Sequence, residues 1–311
     1  MKKLFIAPIL FLLFFFNSCI SNNNDEKTDL PTKNILTAQV SAVYGGGAIY
    51  NSSTSVDELR SSGFNTVIVW TIHIEASGKL NFNYDFDLID NGQYIGANDP
   101  QSGNFANDLA RLKQAPTSVN RIEFGIGAAQ AQTFNVLRNF YESEGFGPGS
   151  TIYENFKKLK ETFPMVDAIN NDDEVTFDLE STVAFTKMLA SLGFKNTIVP
   201  YNRVGYWKSL VQQVNAEFPG NLDRNYIQCY AGGARNTPCQ IKWDFGIPNI
   251  GGRWGAPNRE SPSQVQSVMQ GWRNSCGNRN SGGFLWVYDD FGNKSQTAQY
   301  ANAVNTAFSI H

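Results

Sequence analysis

Histidine is nearly absent from this chain of 311 residues: His73 and the C-terminal His311 are the only two. A histidine-ligated zinc site or a Ser-His-Asp triad would rest on His73 alone, so no metal and no cofactor is expected. Cysteine is scarce as well, at four residues. Setting aside Cys19 near the start, Cys229, Cys239 and Cys276 allow one disulfide with one thiol left over. Cys229 and Cys239 are nearest in sequence, but spacing alone does not choose the pair. Charged residues make up only 17%, the net charge is −3 and there is no basic run, which speaks against a nucleic-acid partner. The triple Gly45-Gly46-Gly47 lacks both the Lys-Ser/Thr of a phosphate loop and the glycine spacing of a dinucleotide site; it reads as a tight loop.

Aromatics, by contrast, are plentiful: 6 Trp, 12 Tyr and 23 Phe. Most must be core, yet flat aromatic faces also suit the apolar side of a pyranose ring. The one long apolar run, residues 4–16, follows Lys2 and Lys3 and leads into Asn17-Ser18-Cys19. A basic start, a short apolar stretch and a small residue before the cut describe a secretory signal, and the run is too short to span a bilayer comfortably. With cysteine at the cut it resembles a bacterial lipoprotein signal. Residues 1–18 would be removed, Cys19 would carry the lipid, and residues 19–38, rich in Asn, Asp and Lys, would be a flexible tether. The body, residues 39–311, is then expected in the cell envelope, at the outer membrane or cell surface, tied to the membrane by that N-terminal lipid.

Along the body, strand-like and helix-like stretches alternate. Strands are expected from residue 39 to the glycine triple, then over 66–74, 121–126, the acidic stretch ending at Glu174, 197–201, 226–230, 243–247 and 283–288. The stretch 66–74 (TVIVWTIHI) is nearly continuously apolar, as a strand buried on both faces should be. Helices are expected over 55–62, opened by a Ser55/Glu58 capping box, and over 105–114, 150–163, 179–192, 206–218, 263–272 and 296–308. Residues 75–103 read as a long rim loop and 249–257 as a glycine-rich loop. Eight strand–helix units in one body predict an α/β fold, a single (β/α)8 TIM barrel, whose active site lies at the C-terminal ends of the strands.

That rule gives weight to Asp167-Ala168-Ile169-Asn170-Asn171-Asp172-Asp173-Glu174. In an extended strand Asn170, Asp172 and Glu174 share one face, and Asn171 and Asp173 the other. A solvated acidic turn or a helix N-terminus would also hold so many acids. The same rim, however, is expected to collect Tyr201, Tyr230, Trp286 and Tyr288 at strand ends, with Trp207 and Trp254 nearby. A sugar-cleaving cleft uses such a set, and a surface turn does not. His73, with Glu75, and Trp272 are expected to be structural; Glu260 and Asp289-Asp290 either line the rim or face solvent, with the two aspartates kept as a third carboxylate option after Tyr288.

The acidic octapeptide resembles the D-G-x-D-x-D-x-E strand-four motif of glycoside hydrolase family 18, the chitinases and endo-β-N-acetylglucosaminidases, and its Asp-Asp-Glu ending is closest to the latter. Gly125-Ile126-Gly127-Ala128 is similar to that family's S-x-G-G on strand three. Gln228-Cys229-Tyr230 resembles its M-x-Y or Q-x-Y on strand six, and Gly283-Phe284-Leu285-Trp286 its strand-eight segment. The resemblance implies retaining hydrolysis of glycans containing β-linked N-acetylglucosamine, assisted by the substrate's own 2-acetamido group. In it Glu174 is the acid and Asp172 orients the acetamide. Asn170, Gly127, Tyr201, Gln228, Tyr230, Trp286 and Tyr288 are the candidate sugar contacts. Two departures stand out: Asn170 replaces an Asp that would share a proton, and Ala231 stands where many members have Asp. An inactive glycan-binding relative is therefore the alternative. No motif in the loops chooses between chitin, peptidoglycan-type glycans and N-glycans.

Overall fold

The computed structural model describes residues 39–310; the signal, Cys19 and tether readings lie outside them. Eight parallel strands close on themselves: β1 (Val40–Gly45), β2 (Thr66–Ile74), β3 (Arg121–Ile126), β4 (Ala168–Asn171), β5 (Lys195–Ile198), β6 (Leu222–Gln228), β7 (Asn249–Trp254) and β8 (Asn280–Trp286). Each pairs with its neighbour in sequence, and β1 pairs with both β2 and β8, which completes a (β/α)8 TIM barrel. Alternation along each strand sends side chains to two cores. Val40, Ala42 and Tyr44 of β1 pack inside the barrel with Ile68, Tyr226, Ile250 and Phe284. Val43, Val67, Val69 and Phe124 pack outward in the layer beneath the helices.

The helices after the strands are α1 (Ser55–Arg60), α2 (Phe105–Leu112), α3 (Thr133–Glu144), α4 (Thr151–Thr162), α5 (Leu179–Ser191), α6 (Val204–Glu217), α7 (Pro262–Cys276) and α8 (Lys294–Phe308). Ser150, Asp178, Ser261 and Asn293 cap α4, α5, α7 and α8 by accepting hydrogen bonds from backbone N–H groups. At α1 the expected capping box does not form. Thr54 is the N-cap, and the Ser55 hydroxyl instead donates to the carbonyls of Ile49 and Ser52.

Three further expectations are corrected. Residues 243–247 are not the seventh strand: Trp243 ends a short 3-10 turn and is fully buried. The strand is Asn249–Trp254, in the stretch that reads as a glycine-rich loop. Its glycines are needed because the space on both faces of the strand is already taken, by Phe284 inside the barrel and by Trp272 of α7 outside it. A Cβ on Gly252 would sit 2.1 Å from the Phe284 ring, and one on Gly251 2.6 Å from Trp272. The connection from β6 to β7 carries only 3-10 turns. Cys239 in that connection is joined to Cys276 at the end of α7, and among the described residues the free thiol is the buried Cys229. Finally, residues 75–103 are not a plain loop. Leu80–Phe82, Phe86–Asp90 and Gln93–Tyr94 extend the sheet antiparallel from β2.

Candidate active site

Chain geometry brings the acids together at the mouth of the barrel. Past the end of β4 the Asp172 N–H still bonds the Ile126 carbonyl, and the chain then turns at Glu174 with both carboxyl groups on the same side. Both line a cavity of about 300 Å³ with Tyr44, Trp70, Tyr201, Gln228, Tyr230, Trp254 and Trp286. Asp173 points the other way. Its carboxylate accepts the backbone N–H groups of Val175, Thr176 and Phe177 at 3.0, 2.8 and 2.7 Å. The third acid of the motif thus ties down the loop that carries Glu174.

One amide bridges the two cavity acids. Gln228 Nε2 donates to Glu174 Oε1 at 3.0 Å and to the Val199 carbonyl at 3.1 Å, with Asp172 Oδ1 at 3.4 Å. The Trp70 indole N–H faces the other Asp172 oxygen at 3.4 Å. Asp172 is only 5% exposed. Burial, and next the charge of Glu174, push its carboxyl well above the usual range, against the smaller lowering by Trp70. Asp172 therefore holds a proton at pH values where a free aspartate has lost it. Burial followed by the charges of Asp172 and Glu174 raises the Tyr230 hydroxyl, which stays a donor. Burial and then Glu174 do the same at Tyr201.

The aromatic walls meet edge to face. Trp70 and Trp286 lie with ring centroids 4.9 Å apart at 86°, and Tyr44 is 5.5 Å from Trp286. Trp286 and Tyr230 are nearly parallel, with centroids 6.5 Å apart. Trp254 closes a further side, its indole N–H donating to Asp290.

Of the residues named from sequence, Asp172, Glu174, Tyr201, Gln228, Tyr230 and Trp286 line the cavity together. Three do not. Asn170 is fully buried beneath the floor, where its amide is held by Tyr44 and Thr197. Gly127 supports the tip of β4 from outside the cavity: its φ is +85°, and a Cβ there would lie 2.9 Å from the Asp172 carbonyl oxygen. Tyr288 turns away, its hydroxyl donating to Glu58 at 3.0 Å. Trp207 is core on α6 and Trp272 is core on α7. Of the secondary acids, Glu260 pairs with Arg253 and Asp289 accepts the N–H groups of Gly46 and Ala48, while Asp290 stands at the rim behind Trp254. His73 is buried, stacks on Tyr84 at 3.7 Å, and burial pushes its pKa down to about 4.

Sequence reasoning missed Trp70 and Tyr44. Both sit in runs whose continuous apolar character hides which side chain reaches the rim. Counting the period-two register inward from the strand ends would have found Tyr44, at the last position but one of β1.

No protein-family model and no curated protein sequence matches the chain. Solved structures do. The catalytic domain of a family GH18 chitinase from the fern Peteris ryukyuensis superposes with a TM-score of 0.55 at 16% identity, covering 86% of this chain and 99% of that one. A GH18 chitinase from the chitin utilization locus of Flavobacterium johnsoniae gives 0.56 at 11% identity, over 86% and 94%. Active domain 2 of a thermostable chitinase from Pyrococcus furiosus, solved as catalytic-site mutants with chito-oligosaccharides, gives 0.56 at 11%, over 87% and 95%. At such identities the likeness establishes the barrel fold.

Proposed function

We propose that this protein is a glycoside hydrolase cleaving glycans that contain β-linked N-acetylglucosamine, with retention and with the substrate's acetamido group as nucleophile. The observation that carries the reading is the pair Asp172–Glu174, bridged by Gln228 at the floor of an aromatic-walled cavity. The barrel fold shared with several chitinases, one of them solved with chito-oligosaccharides, supports the same substrate class.

In this reading a sugar ring rests against Trp286, and its acetamide lies between Asp172 and Tyr230. Before the sugar arrives Asp172 holds the resident proton, because burial and Glu174 disfavour its charge. An acetamide N–H arriving at Asp172 reverses that preference, since a carboxylate accepts the hydrogen bond better than a carboxylic acid does. The proton is then held by Glu174, which delivers it to the glycosidic oxygen as that bond breaks. The acetamide oxygen attacks the anomeric carbon from the opposite side. The resulting cyclic cation is stabilised by the Asp172 carboxylate, and the Tyr230 hydroxyl donates to the ring oxygen derived from the acetamide. Water, deprotonated by Glu174, opens the ring and restores the starting configuration.

A second reading, a glycan-binding protein without turnover, draws on one observation: an amide at position 170 cannot share a proton with Asp172. Wild type and Glu174→Gln separate the two when incubated with chitin oligosaccharides and with an N-glycoprotein. Reducing-end release by wild type that Glu174→Gln abolishes supports the hydrolase; retained affinity with no release by wild type supports the binder. We further propose export and lipidation at Cys19, tested by labelled fatty-acid incorporation in wild type and its loss in Cys19→Ala.

A further inference from the structure

Beneath the cavity floor lies a polar chain that the proposed chemistry does not use. Glu123 of β3 is fully buried and bonds across the barrel to residues of β5 and β6. Arg121 Nε donates to it at 2.7 Å, the Tyr226 hydroxyl donates at 2.9 Å, and Arg224 Nη1 lies 3.6 Å away. With two guanidinium groups, which keep their protons, facing it, Glu123 is a carboxylate and can only accept.

The direction of every bond above it then follows. Thr197 Oγ1, 2.6 Å from Glu123, must donate, and its single proton is spent. The atom of Asn170 facing Thr197 at 2.8 Å must therefore be the NH₂ group. The Asn170 carbonyl is left facing Tyr44, whose hydroxyl must donate to it at 2.9 Å. Tyr44 thus has no proton to offer the cavity it lines, only lone pairs.

We propose that Glu123 and Thr197 are positioning residues that fix the polarity of this chain, so that Tyr44, which lines the cavity together with Asp172, offers it lone pairs only and the acid pair keeps its proton. The inference rests on the hydrolase reading for its consequence in catalysis, but not for its geometry. It also accounts for the departure at position 170. The site needs a donor toward Thr197 and an acceptor toward Tyr44; an amide supplies both, whereas a carboxyl does so only while protonated. The groups that bear on Asp172 are Glu174 and Asp173 from its own segment, Trp70 from β2, Gln228 and Tyr230 at the end of β6, Tyr201 after β5, and Tyr44 from β1. Among them only Tyr44 changes from acceptor to donor when the chain is cut.

Thr197→Val cuts it without altering charge, and Thr197→Ser restores the hydroxyl. In Thr197→Val, Asn170 is free to turn and Tyr44 to donate to Asp172, which favours the ionised acid. The alkaline limb of kcat/KM is expected to move to lower pH, with kcat at the wild-type optimum falling by about tenfold, one buried hydrogen bond's worth. Thr197→Ser keeps the wild-type profile. A Val variant with the wild-type profile, or one depressed equally at every pH, overturns the inference. A second arm needs no turnover: in Asn170→Asp, carboxyl ¹³C NMR is expected to find the introduced carboxyl protonated at pH 7, and an ionised carboxylate at that position overturns the inference. Whether wild type cleaves sugar at all judges the hydrolase reading; the NMR arm judges polarity either way, and also decides if the Thr197 variants do not fold.

Discussion

Replacing Asp173 by Ala removes the clasp on the loop that carries Glu174. Three backbone N–H groups, of Val175, Thr176 and Phe177, lose their acceptor at once. At about 1 kcal/mol net per hydrogen bond the loss is ~3 kcal/mol. Relief of the buried charge works the other way. Burial raises the Asp173 carboxyl despite the three opposing hydrogen bonds, so ionised Asp173 carries a desolvation cost that alanine removes. A net destabilisation of about 2 kcal/mol is expected, or roughly 4–6 °C in Tm for a body of this size. The catalytic effect is larger than the stability effect. Phe177 stands at a positive φ of 49°, a conformation an aromatic residue keeps only when its surroundings hold it. Without the clasp the loop relaxes, and a shift of about 1 Å in the Glu174 carboxyl costs about 100-fold in kcat. Differential scanning calorimetry and initial rates on a chitin oligosaccharide, on the same preparation, provide both numbers. A variant with wild-type kcat and Tm would refute the reasoning.

Removing the Cys239–Cys276 link with a double Ser substitution opens a loop closed over a separation of 37 residues. Loop entropy puts the loss at about 4 kcal/mol, seen as a lower Tm that reductant reproduces in wild type and leaves unchanged in the variant. Asp172→Asn removes a carboxyl whose folded pKa is raised by burial and Glu174. Such a group's stability contribution is full below the ordinary carboxylate range and is lost as pH rises through the folded value. The variant should therefore be more stable than wild type at neutral pH and inactive, with the stability gap closing in acid. His73 has the opposite sign. Held down to about 4 by burial, it is neutral in the fold, so stability falls as pH drops from about 6.5 to 4. His73→Phe should flatten that part of the chemical-denaturation profile, and an unchanged slope would exclude the assignment.

Seven of the eight strands were legible: the second because a parallel strand buried on both faces is written as an unbroken β-branched or apolar run, TVIVWTIHI, and the fourth through its alternating acids and amides rather than any apolar run. The seventh, NIGGRW, was not, since Phe284 and Trp272 occupy the space its side chains would take and only glycine fits. The WDFGI stretch misled for the opposite reason: Trp243 is buried by a turn rather than by a strand. Helix α3 went unnoticed although Phe134 and Leu137 lie at helical spacing and Gly145 ends it. At the site, the alternation expected of a strand sufficed to pair Asp172 with Glu174 and to set Asp173 apart. It could not tell that Tyr288 would be drawn to Glu58, or that Asn170 would be locked below the floor, because those contacts join residues 230 and 126 positions apart.

Paired oligosaccharides that differ only in their 2-substituent test the central claim most directly. With the acetamide as nucleophile, wild type should cleave the N-acetylated substrate, and the 2-amino analogue should survive under the same conditions. Equal cleavage of both would contradict substrate assistance, and cleavage of neither would contradict hydrolysis.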